Sequence, residues 1–365
     1  MCEFNRTDHI LATQELLGYL PNRLFMIWFL LSMNIRLAFP LLLAVSAASA
    51  AQHELKLTPA NVHWGYYDAR VKPVLRIASG DTVRVETMLA GGVDRLKMVG
   101  IPDAEIPESL KQVEAAVKDR GPGAHPLTGP IYVEGAEPGD VLEVHIGPFE
   151  FLHPYGTSGF RPFAGTLPDE FPYAYFKKIP IDAKAGTATL APNVTLKLAP
   201  FWGSIGVAPP DTVRRQSSAP PGPHTGNIDN KELVAGAILY MPVHTRGALL
   251  SMGDGHGLQG DGEVTVTALE TSLRGSVQVF VRKGKRLLWP RAETPTHFIT
   301  MGLHPDLNEA ARMATREMID YLVTEKGMKR EDAYILTSLG VDLHVTQIVD
   351  ETKGVHAMLP KSILH

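Results

Sequence analysis

Residues 80–85 read Gly-Asp-Thr-Val-Arg-Val, and residues 139–144 (Gly-Asp-Val-Leu-Glu-Val) and 260–266 (Gly-Asp-Gly-Glu-Val-Thr-Val) follow the same pattern. In each stretch the Gly-Asp dipeptide supplies a positive φ angle or an Asx turn, and β-branched residues then fill one face of a strand. Short strands with turns of this kind are typical of sandwiches and barrels. The sequence therefore predicts a mainly β fold, a sandwich-like or barrel-like body of short strands, with a C-terminal α+β portion.

The C-terminal portion is predicted because the pattern changes near residue 290, after which helical periods appear. The strongest period begins at Asp306, which can cap a helix N-terminus, with Glu309 where a capping-box acid belongs. A second helix is predicted over residues 329–339, followed by a strand over 341–348. Before residue 290 we expect a short amphipathic helix over 104–117. The apolar stripe of the long helix consists of Leu307, Ala311, Ala314, Met318 and Leu322.

Residues 1–50 have the features of a secretory leader. Residues 33–36 form a short positive n-region, residues 37–45 an apolar h-region, and Ala48-Ser49-Ala50 a small-residue cleavage site. The mature chain is therefore expected to begin near Ala51 and to be periplasmic or secreted, without stable membrane insertion after processing. The sequence thus predicts three parts: a leader (1–50), a β-rich body (51–290) and an α+β portion (291–365) packed on the same domain.

Residues 1–32 precede this leader, and the simplest account is that Met33 is the true initiator. The alternative is a genuine membrane anchor. Arg36 and Pro40 interrupt the apolar stretch, whereas an anchor requires about 20 continuous apolar residues.

Composition excludes several kinds of chemistry. The formal net charge is −4 and the one cysteine, Cys2, lies in the leader. No part of the chain is strongly basic, which argues against a nucleic-acid partner. The mature chain has no disulfide, thiolate ligand or cysteine nucleophile. Any metal must then be bound by His, Asp and Glu side chains.

The richest candidate site is residues 251–263, which carry one histidine and three carboxyl groups on a backbone with five glycines. Asp254 and His256 are two residues apart, so on an extended chain both side chains face the same way. Oxygen and nitrogen ligands with this spacing suit Zn²⁺ or another divalent ion. The segment therefore predicts a metal site.

Three weaker candidate clusters precede this segment in the sequence. His125 lies on a loop that leads into a predicted strand ending at Glu134, and Asp229 lies in the turn-forming Gly-Asn-Ile-Asp-Asn segment, residues 226–230. By themselves these residues are also consistent with a surface histidine and an ordinary turn. The pair His63-Trp64, with Asp68 nearby, is as consistent with packing as with binding.

Three long motifs, in this order, resemble the acetamidase/formamidase family. They are residues 129–140 (Gly-Pro-Ile-Tyr-Val-Glu-Gly-Ala-Glu-Pro-Gly-Asp), 226–229 (Gly-Asn-Ile-Asp) and 253–263 (Gly-Asp-Gly-His-Gly-Leu-Gln-Gly-Asp-Gly-Glu), and residues 240–243 and 354–357 extend the likeness. The resemblance covers essentially the whole mature chain. It implies a mainly β fold, hydrolysis of short aliphatic amides to acid and ammonia, and a homo-oligomer. Members of the family are commonly cytoplasmic, and the leader departs from that pattern.

Amide hydrolysis requires an activated nucleophile. Ser217-Ser218 lies in a loop without a neighbouring base, and the sequence has no Gly-x-Ser-x-Gly elbow. Water activated by a metal or by a carboxylate remains. The predicted metal ligands are His125, Asp229, Asp254 and His256.

Glu134 is the predicted proton shuttle, and Asp229 and Asp261 are the other candidate catalytic carboxylates; which acid binds metal and which acts as base stays open. Zn²⁺ is the expected metal, and Ca²⁺ is the alternative. Without a metal, a mechanism driven by Glu134 and Asp229 would take over. Two other functions stay open: a non-enzymatic periplasmic β-module that binds a sugar or cation, and a hydrolase of a cyclic amide or carbamate.

Overall fold

The computed structural model describes residues 50–364, so the predicted leader lies outside the described residues apart from Ala50. This part of the chain forms 21 strands and four α-helices. The helices are α1 (Gly92–Met98), α2 (Glu108–Ala116), α3 (Leu307–Lys326) and α4 (Arg330–Gly340). The strands are β1 (Gln52–Leu55), β2 (Val62–Trp64), β3 (Tyr66–Tyr67), β4 (Leu75–Ile77), β5 (Thr82–Glu86), β6 (Pro126–Val133), β7 (Val141–Phe151), β8 (Tyr155–Phe160), β9 (Tyr175–Asp182), β10 (Thr187–Ala191), β11 (Val194–Lys197), β12 (Phe201–Gly206), β13 (Gln216–Ser217), β14 (Thr225–Asn227), β15 (Ile238–Pro242), β16 (Leu250–His256), β17 (Leu273–Arg282), β18 (Arg291–Glu293), β19 (His297–His304), β20 (Asp342–Gln347) and β21 (Lys353–Pro360).

Nine strands form the larger sheet, in the order β1-β5-β17-β7-β15-β18-β19-β21-β20. Two of the Gly-Asp stretches lead into it, as the pattern predicts, because β5 and β7 follow them directly. The carboxylates close the turns: Asp81 Oδ2 accepts a hydrogen bond from the Ala78 amide at 2.9 Å, and Asp140 Oδ2 from the Glu137 amide at 2.8 Å. Both strand predictions are confirmed.

The third Gly-Asp stretch does not form a strand, so that prediction is wrong. Glu263 and Val266 adopt left-handed backbone, with φ of 44° and 68°. An extended strand cannot continue through such residues. The side chain of Glu263 is buried while that of Val264 is exposed. Residues 260–266 are a loop that delivers Glu263 to the interior.

The second sheet packs against the first and makes the body a sandwich. Its strand order is β14-β12-β16-β6-β2, with β4 also paired to β6. One continuous hydrophobic core contains Val85 and Val144 from the larger sheet and Ile131 and Met252 from the smaller one. Removal of these apolar side chains from water is the main force holding the layers together. The predicted mainly β, sandwich-like fold is confirmed.

The C-terminal portion continues the larger sheet. β18 pairs with β15 of the body, and β19, β21 and β20 extend from it. α3 and α4 cover β19 and β21 through a second hydrophobic cluster. α3 begins as predicted, because the Asp306 side chain accepts a hydrogen bond from the Glu309 amide at 3.0 Å. The predicted α+β character of this portion is confirmed.

The remaining elements lie at the side of the sandwich. α1 and α2 share a hydrophobic cluster with β2, and α2 confirms the helix predicted over residues 104–117. β8 to β11 form a four-stranded sheet. Residues 152–172 contain β8, which pairs with β9. Among the described residues, no helix combines the length and apolar character that crossing a membrane requires.

Gly302 of β19 allows α3 to approach the sheet closely. A Cβ atom at this position would come within 3.0 Å of the Ala310 carbonyl oxygen and the Ala314 amide nitrogen. Both are helix backbone atoms, so relief requires moving α3. We expect Gly302→Ala to lower the free energy of unfolding by about 1–3 kcal/mol, as overpacked cores do. Urea unfolding measures this change, and a midpoint urea concentration equal to that of wild type would contradict it.

Candidate functional site

The centre of the candidate site lies at the end of β16. Asp254 and His256 are both buried there, and His256 Nε2 lies 3.3 Å from Asp254 Oδ2. Asp254 has a φ of 55°, an uncommon backbone state for a residue other than glycine that is concentrated at functional sites. The spacing in the sequence therefore brings these two side chains together, as expected.

His125 reaches the same carboxylate from the neighbouring strand. It directly precedes β6, whose Leu127 is paired with Gly253 of β16. His125 Nε2 lies 3.8 Å from Asp254 Oδ2, and His125 Nδ1 donates a hydrogen bond to the Ser218 carbonyl oxygen at 2.9 Å. Because the proton is held on Nδ1, the lone pair of Nε2 points to the centre of the cluster.

His256 is held in the same tautomer by Gln259. The Gln259 side chain donates through Nε2 to the Asp229 carbonyl oxygen at 2.7 Å, which orients its own oxygen toward the histidine. His256 Nδ1 then donates to Gln259 Oε1 at 3.0 Å. Two histidines with Nδ1 bound to carbonyl oxygens and Nε2 facing one carboxylate form the arrangement that metal-binding histidines adopt.

Asp229 approaches from the smaller sheet, just after β14. Its φ of 47° is left-handed. Asn227 Nδ2 donates to Asp229 Oδ2 at 2.8 Å and to Asp350 Oδ2 at 3.0 Å. Ligand atoms of Asp229, His256 and Glu263 lie within 4.8 Å of one another.

Glu270 closes the other side of the cluster. Its Oε1 lies 3.5 Å from His256 Nε2 and accepts a hydrogen bond from the Ala268 amide at 2.9 Å. Isolated antiparallel β-bridges pair its backbone with those of His256 and Thr157. Asp254, His256 and Glu270 form a second set of ligand atoms within 4.8 Å.

The charges in this cluster strongly perturb one another. Burial disfavours the charged form of His256, but the carboxylates of Glu270 and Asp254 outweigh it and raise the pKa of His256 to about 10. Burial also opposes ionisation of Asp254, yet His125 and His256 hold its pKa below the usual range. Burial raises the pKa of Glu270 to about 8 and that of Asp229 well above its usual value. Without a metal, His256 therefore carries a proton on Nε2 at neutral pH. A metal bound at Nε2 would replace that proton, while Nδ1 stays bound to Gln259.

The residues fit a divalent metal. Four carboxyl groups are buried with only two imidazoles close by, and such an imbalance is costly without a cation. The atoms without a hydrogen-bond partner in the described part of the chain include His256 Nε2, Asp229 Oδ1, Glu270 Oε2 and Asn227 Oδ1. The buried carboxyl groups are those of Asp229, Asp254, Glu263 and Glu270.

Gly203 of β12 leaves the space in which these groups meet. A Cβ atom there would come within 3.0 Å of Asp229 Oδ1, His256 Cε1 and Asp254 Oδ2. We expect Gly203→Ala to lower kcat/KM by about 10²-fold, since a displacement of about 1 Å in a catalytic group has that effect. The readout is amide turnover. Gly260→Ala is the matched control, because nothing lies within 4 Å of its Cβ position; equal activity of the two variants would contradict this role.

Two residues predicted to be catalytic lie outside the cluster. Glu134 follows β6, is about half exposed, and is bound to Arg76 with a distance of 2.8 Å between Oε1 and Nε. The predicted shuttle role is therefore not supported. β6 ends at Val133, and the side chain of the following residue, Glu134, faces solvent. Asp261 is partly exposed and pairs with His344 rather than with His256.

The fourth cluster is a packing feature. His63 is buried with its Nδ1 3.3 Å from the Gly129 carbonyl oxygen, and burial lowers its pKa to about 4. Its ring packs against Tyr66 and Tyr67. Asp68 is bound by Arg70.

For several residues of the site, the sequence pattern does not indicate that they belong to it. Glu263 belongs to the glycine-rich motif, but its role depends on the loop conformation. Asp350 follows the last predicted strand, and Asn227 is part of the Gly-Asn-Ile-Asp segment. Glu270 is an isolated acid between strands, and only its bridge to His256 shows its position.

A β-sandwich that encloses histidines and carboxylates at one strand end defines the class of protein: a β-sandwich with a buried group of residues that could hold a metal ion. The model of the acetamidase/formamidase family matches residues 53–219 and 213–365. The chain belongs to the acetamidase/formamidase family.

Individual relatives agree with this assignment. A formamidase from Methylophilus methylotrophus is 30% identical over 302 residues, covering 62% of this chain and 73% of that protein. A structure described as a predicted acetamidase/formamidase from Thermoanaerobacter tengcongensis superposes with a TM-score of 0.75 at 30% identity, covering 87% of this chain and 98% of that one. An acetamidase structure from Bacillus halodurans gives a TM-score of 0.72 at 30% identity, covering 85% and 98%.

Proposed function

We propose that this chain hydrolyses a small linear amide to a carboxylic acid and ammonia, using water activated at the Asp254–His256 centre. The observation that carries the proposal is the shared tautomer of His125 and His256, whose Nε2 atoms both face Asp254 Oδ2. Membership of the family supports amides as the substrate class, because relatives are named formamidase and acetamidase.

The residues that would hold a metal are His125, Asp254 and His256, with Asp229 as a further ligand. A divalent metal bound there would lower the pKa of water toward about 7 and polarise the amide carbonyl. Imidazole ligands favour Zn²⁺ over Ca²⁺, which prefers oxygen. Ser218 and Gln259 contribute by fixing the orientation of the two rings.

Glu270 replaces Glu134 as the proposed proton shuttle. Its Oε2 is buried without a hydrogen-bond partner in the described region. The positive charge of a bound metal would oppose the effect of burial on its pKa and favour the ionised form, which could take a proton from water. As the water oxygen bonds to the carbonyl carbon, Glu270 passes that proton to the amide nitrogen, the C–N bond breaks, and ammonia leaves.

Arg95 is the proposed binding group for the substrate oxygen. Burial lowers the pKa of Arg95, while the charges of Glu270 and Asp254 act in the opposite direction. Its Nη1 is buried and finds no acceptor within residues 50–364. A carbonyl or product carboxylate oxygen would supply that acceptor.

The neighbouring cavity favours a small substrate. It has a volume of about 210 Å³, and its lining includes Gln259 and Glu263 of the site together with Ser158 and Thr267. Pockets for drug-sized ligands occupy roughly 300–1,000 Å³. A cavity of this size beside the site has room for a short aliphatic amide.

The proposal is tested by ammonia release from formamide, acetamide, propionamide and a primary carbamate, and by formation of the ring-opened amino acid from a lactam, whose hydrolysis releases no ammonia. We expect turnover of the short linear amides, loss of turnover after chelation, and recovery when Zn²⁺ is restored. Turnover of the lactam or of the carbamate alone would show that the enzyme cleaves that type of bond and not a linear amide. Metal binding without hydrolysis of any of these compounds would favour the non-enzymatic module.

We also propose that the mature chain is secreted and begins at Ala51. The Ala51 amide nitrogen lies 2.8 Å from Asp81 Oδ1, and Asp81 is buried. Cleavage before Ala51 would turn this nitrogen into an ammonium group, and a charged pair is stronger than a neutral hydrogen bond. N-terminal sequencing of the secreted protein should find Ala51 or Gln52. An intact chain beginning at Met1 in a membrane fraction would contradict this proposal.

The assembly is proposed to be a homo-oligomer, as the family resemblance implies. Light scattering of the processed protein gives its mass directly. A value equal to that of one chain would contradict this prediction.

A further inference from the structure

A second group of potential metal ligands lies outside the Asp254–His256 centre. It consists of Asp261, from the loop after Gly260, and of His344 and His356, which are paired on β20 and β21. One ligand atom from each residue lies within 4.8 Å of the others. The two imidazole rings are stacked, with centroids 5.0 Å apart and planes at 11°. His344 Nδ1 lies 3.0 Å from Asp261 Oδ2.

His356 is the buried member of this group. Its exposed fraction is 0%, and its Nδ1 lies 2.8 Å from the Thr346 hydroxyl oxygen. Its Nε2 is buried and has no hydrogen-bond partner in the described structure. Burial lowers the pKa of His356 to about 3, against an opposing effect of Asp261. The lowered pKa keeps the ring neutral. When Nδ1 carries the proton and donates to Thr346, the lone pair of Nε2 is available to a metal.

We propose that Asp261, His344 and His356 bind a divalent transition metal, best matched by Zn²⁺, independently of the Asp254–His256 centre. Zinc–ligand distances of about 2.0–2.2 Å in a tetrahedron place ligand atoms roughly 3.3 Å apart. The separation of 3.0 Å between His344 and Asp261 is close to this value. Both residues are partly exposed, so water can fill the fourth position.

Lys231 is the competing cation at this site. Its Nζ lies 3.5 Å from Asp261 Oδ2 but only 2.6 Å from Glu232 Oε1. A bound metal would replace the longer contact and leave Lys231 paired with Glu232. Lys231→Met is therefore expected to tighten metal binding.

The metal would fasten a functional loop to the C-terminal hairpin. The loop that carries Asp261 also supplies Gln259, which orients His256, and Glu263. Its backbone already contacts the hairpin, since the Gly262 amide donates to the Thr346 carbonyl oxygen at 3.1 Å. The proposed role is structural, and it requires no catalytic activity.

The experiment counts zinc per chain by elemental analysis of the processed protein after chelation, Zn²⁺ reloading and removal of free metal. We expect His344→Ala and Asp261→Asn each to bind one zinc fewer than wild type. Zn²⁺ should also raise the Tm less in these variants than in wild type. His145→Ala is the matched control, because His145 is a partly exposed histidine 2.7 Å from Glu143 with no third ligand; its zinc content should equal that of wild type.

Asp254→Asn separates this proposal from the proposed function. If Asp254→Asn keeps all the zinc while His344→Ala loses one equivalent, the central metal is refuted and the second site stands. If Asp254→Asn loses zinc but His344→Ala and Asp261→Asn do not, the second site is refuted. Retention of one protein-bound zinc in the Asp254→Asn variant, lost when His344→Ala is added, supports both.

Discussion

Asp254→Asn is expected to lower kcat/KM for short amides by at least about 10³-fold and to remove metal from the central site. Asparagine keeps the shape of the side chain but removes the negative charge that His125 Nε2 and His256 Nε2 both face. If Asp254 is a ligand as proposed, a metal-binding carboxylate and an electrostatic group are lost together, and loss of one electrostatic group alone costs about 10²–10³-fold. Ammonia release and metal content are the measurements.

Asp119→Asn is the control for this change. Asp119 is largely exposed and bound by Arg215, so its substitution should leave activity and metal content as in wild type. Circular dichroism must show that both variants are folded. An Asp254→Asn variant with full metal content and wild-type turnover would refute the assignment of the centre.

Glu270→Gln is expected to lower kcat by roughly 10²–10⁴-fold, the usual contribution of general acid–base catalysis. Glutamine keeps the hydrogen bond from the Ala268 amide but cannot accept a proton from water. Because the proposed ligands His125, Asp254 and His256 are unchanged, metal content should stay near that of wild type. Single-turnover kinetics with a metal assay distinguishes the two effects.

Glu134→Gln is the matched control, since Glu134 is exposed and paired with Arg76. It should retain wild-type kcat. A fall in kcat for Glu134→Gln with an unaffected Glu270→Gln would restore the shuttle role that the sequence motif predicts for Glu134. Loss of metal in Glu270→Gln would instead make Glu270 a ligand.

The sequence alone determines those features that depend on short separations along the chain. Alternation after a Gly-Asp turn predicts β5 and β7, and Asp306 with a stripe of apolar residues predicts α3. The two-residue spacing predicts that Asp254 and His256 act together, since strand periodicity is local. The absence of cysteine after residue 2 limits any metal to His, Asp and Glu ligands.

Only the tertiary structure decides which distant side chains join them. His125 reaches Asp254 because β6 pairs with β16, and Glu270 reaches His256 through a bridge between segments. The left-handed backbone at Glu263 sends a residue from an apparent strand into the interior. Glu134 and Asp261 fail as central residues for the same reason: pairing and loop geometry, rather than neighbouring residues in the sequence, decide whether a carboxylate is buried or faces solvent.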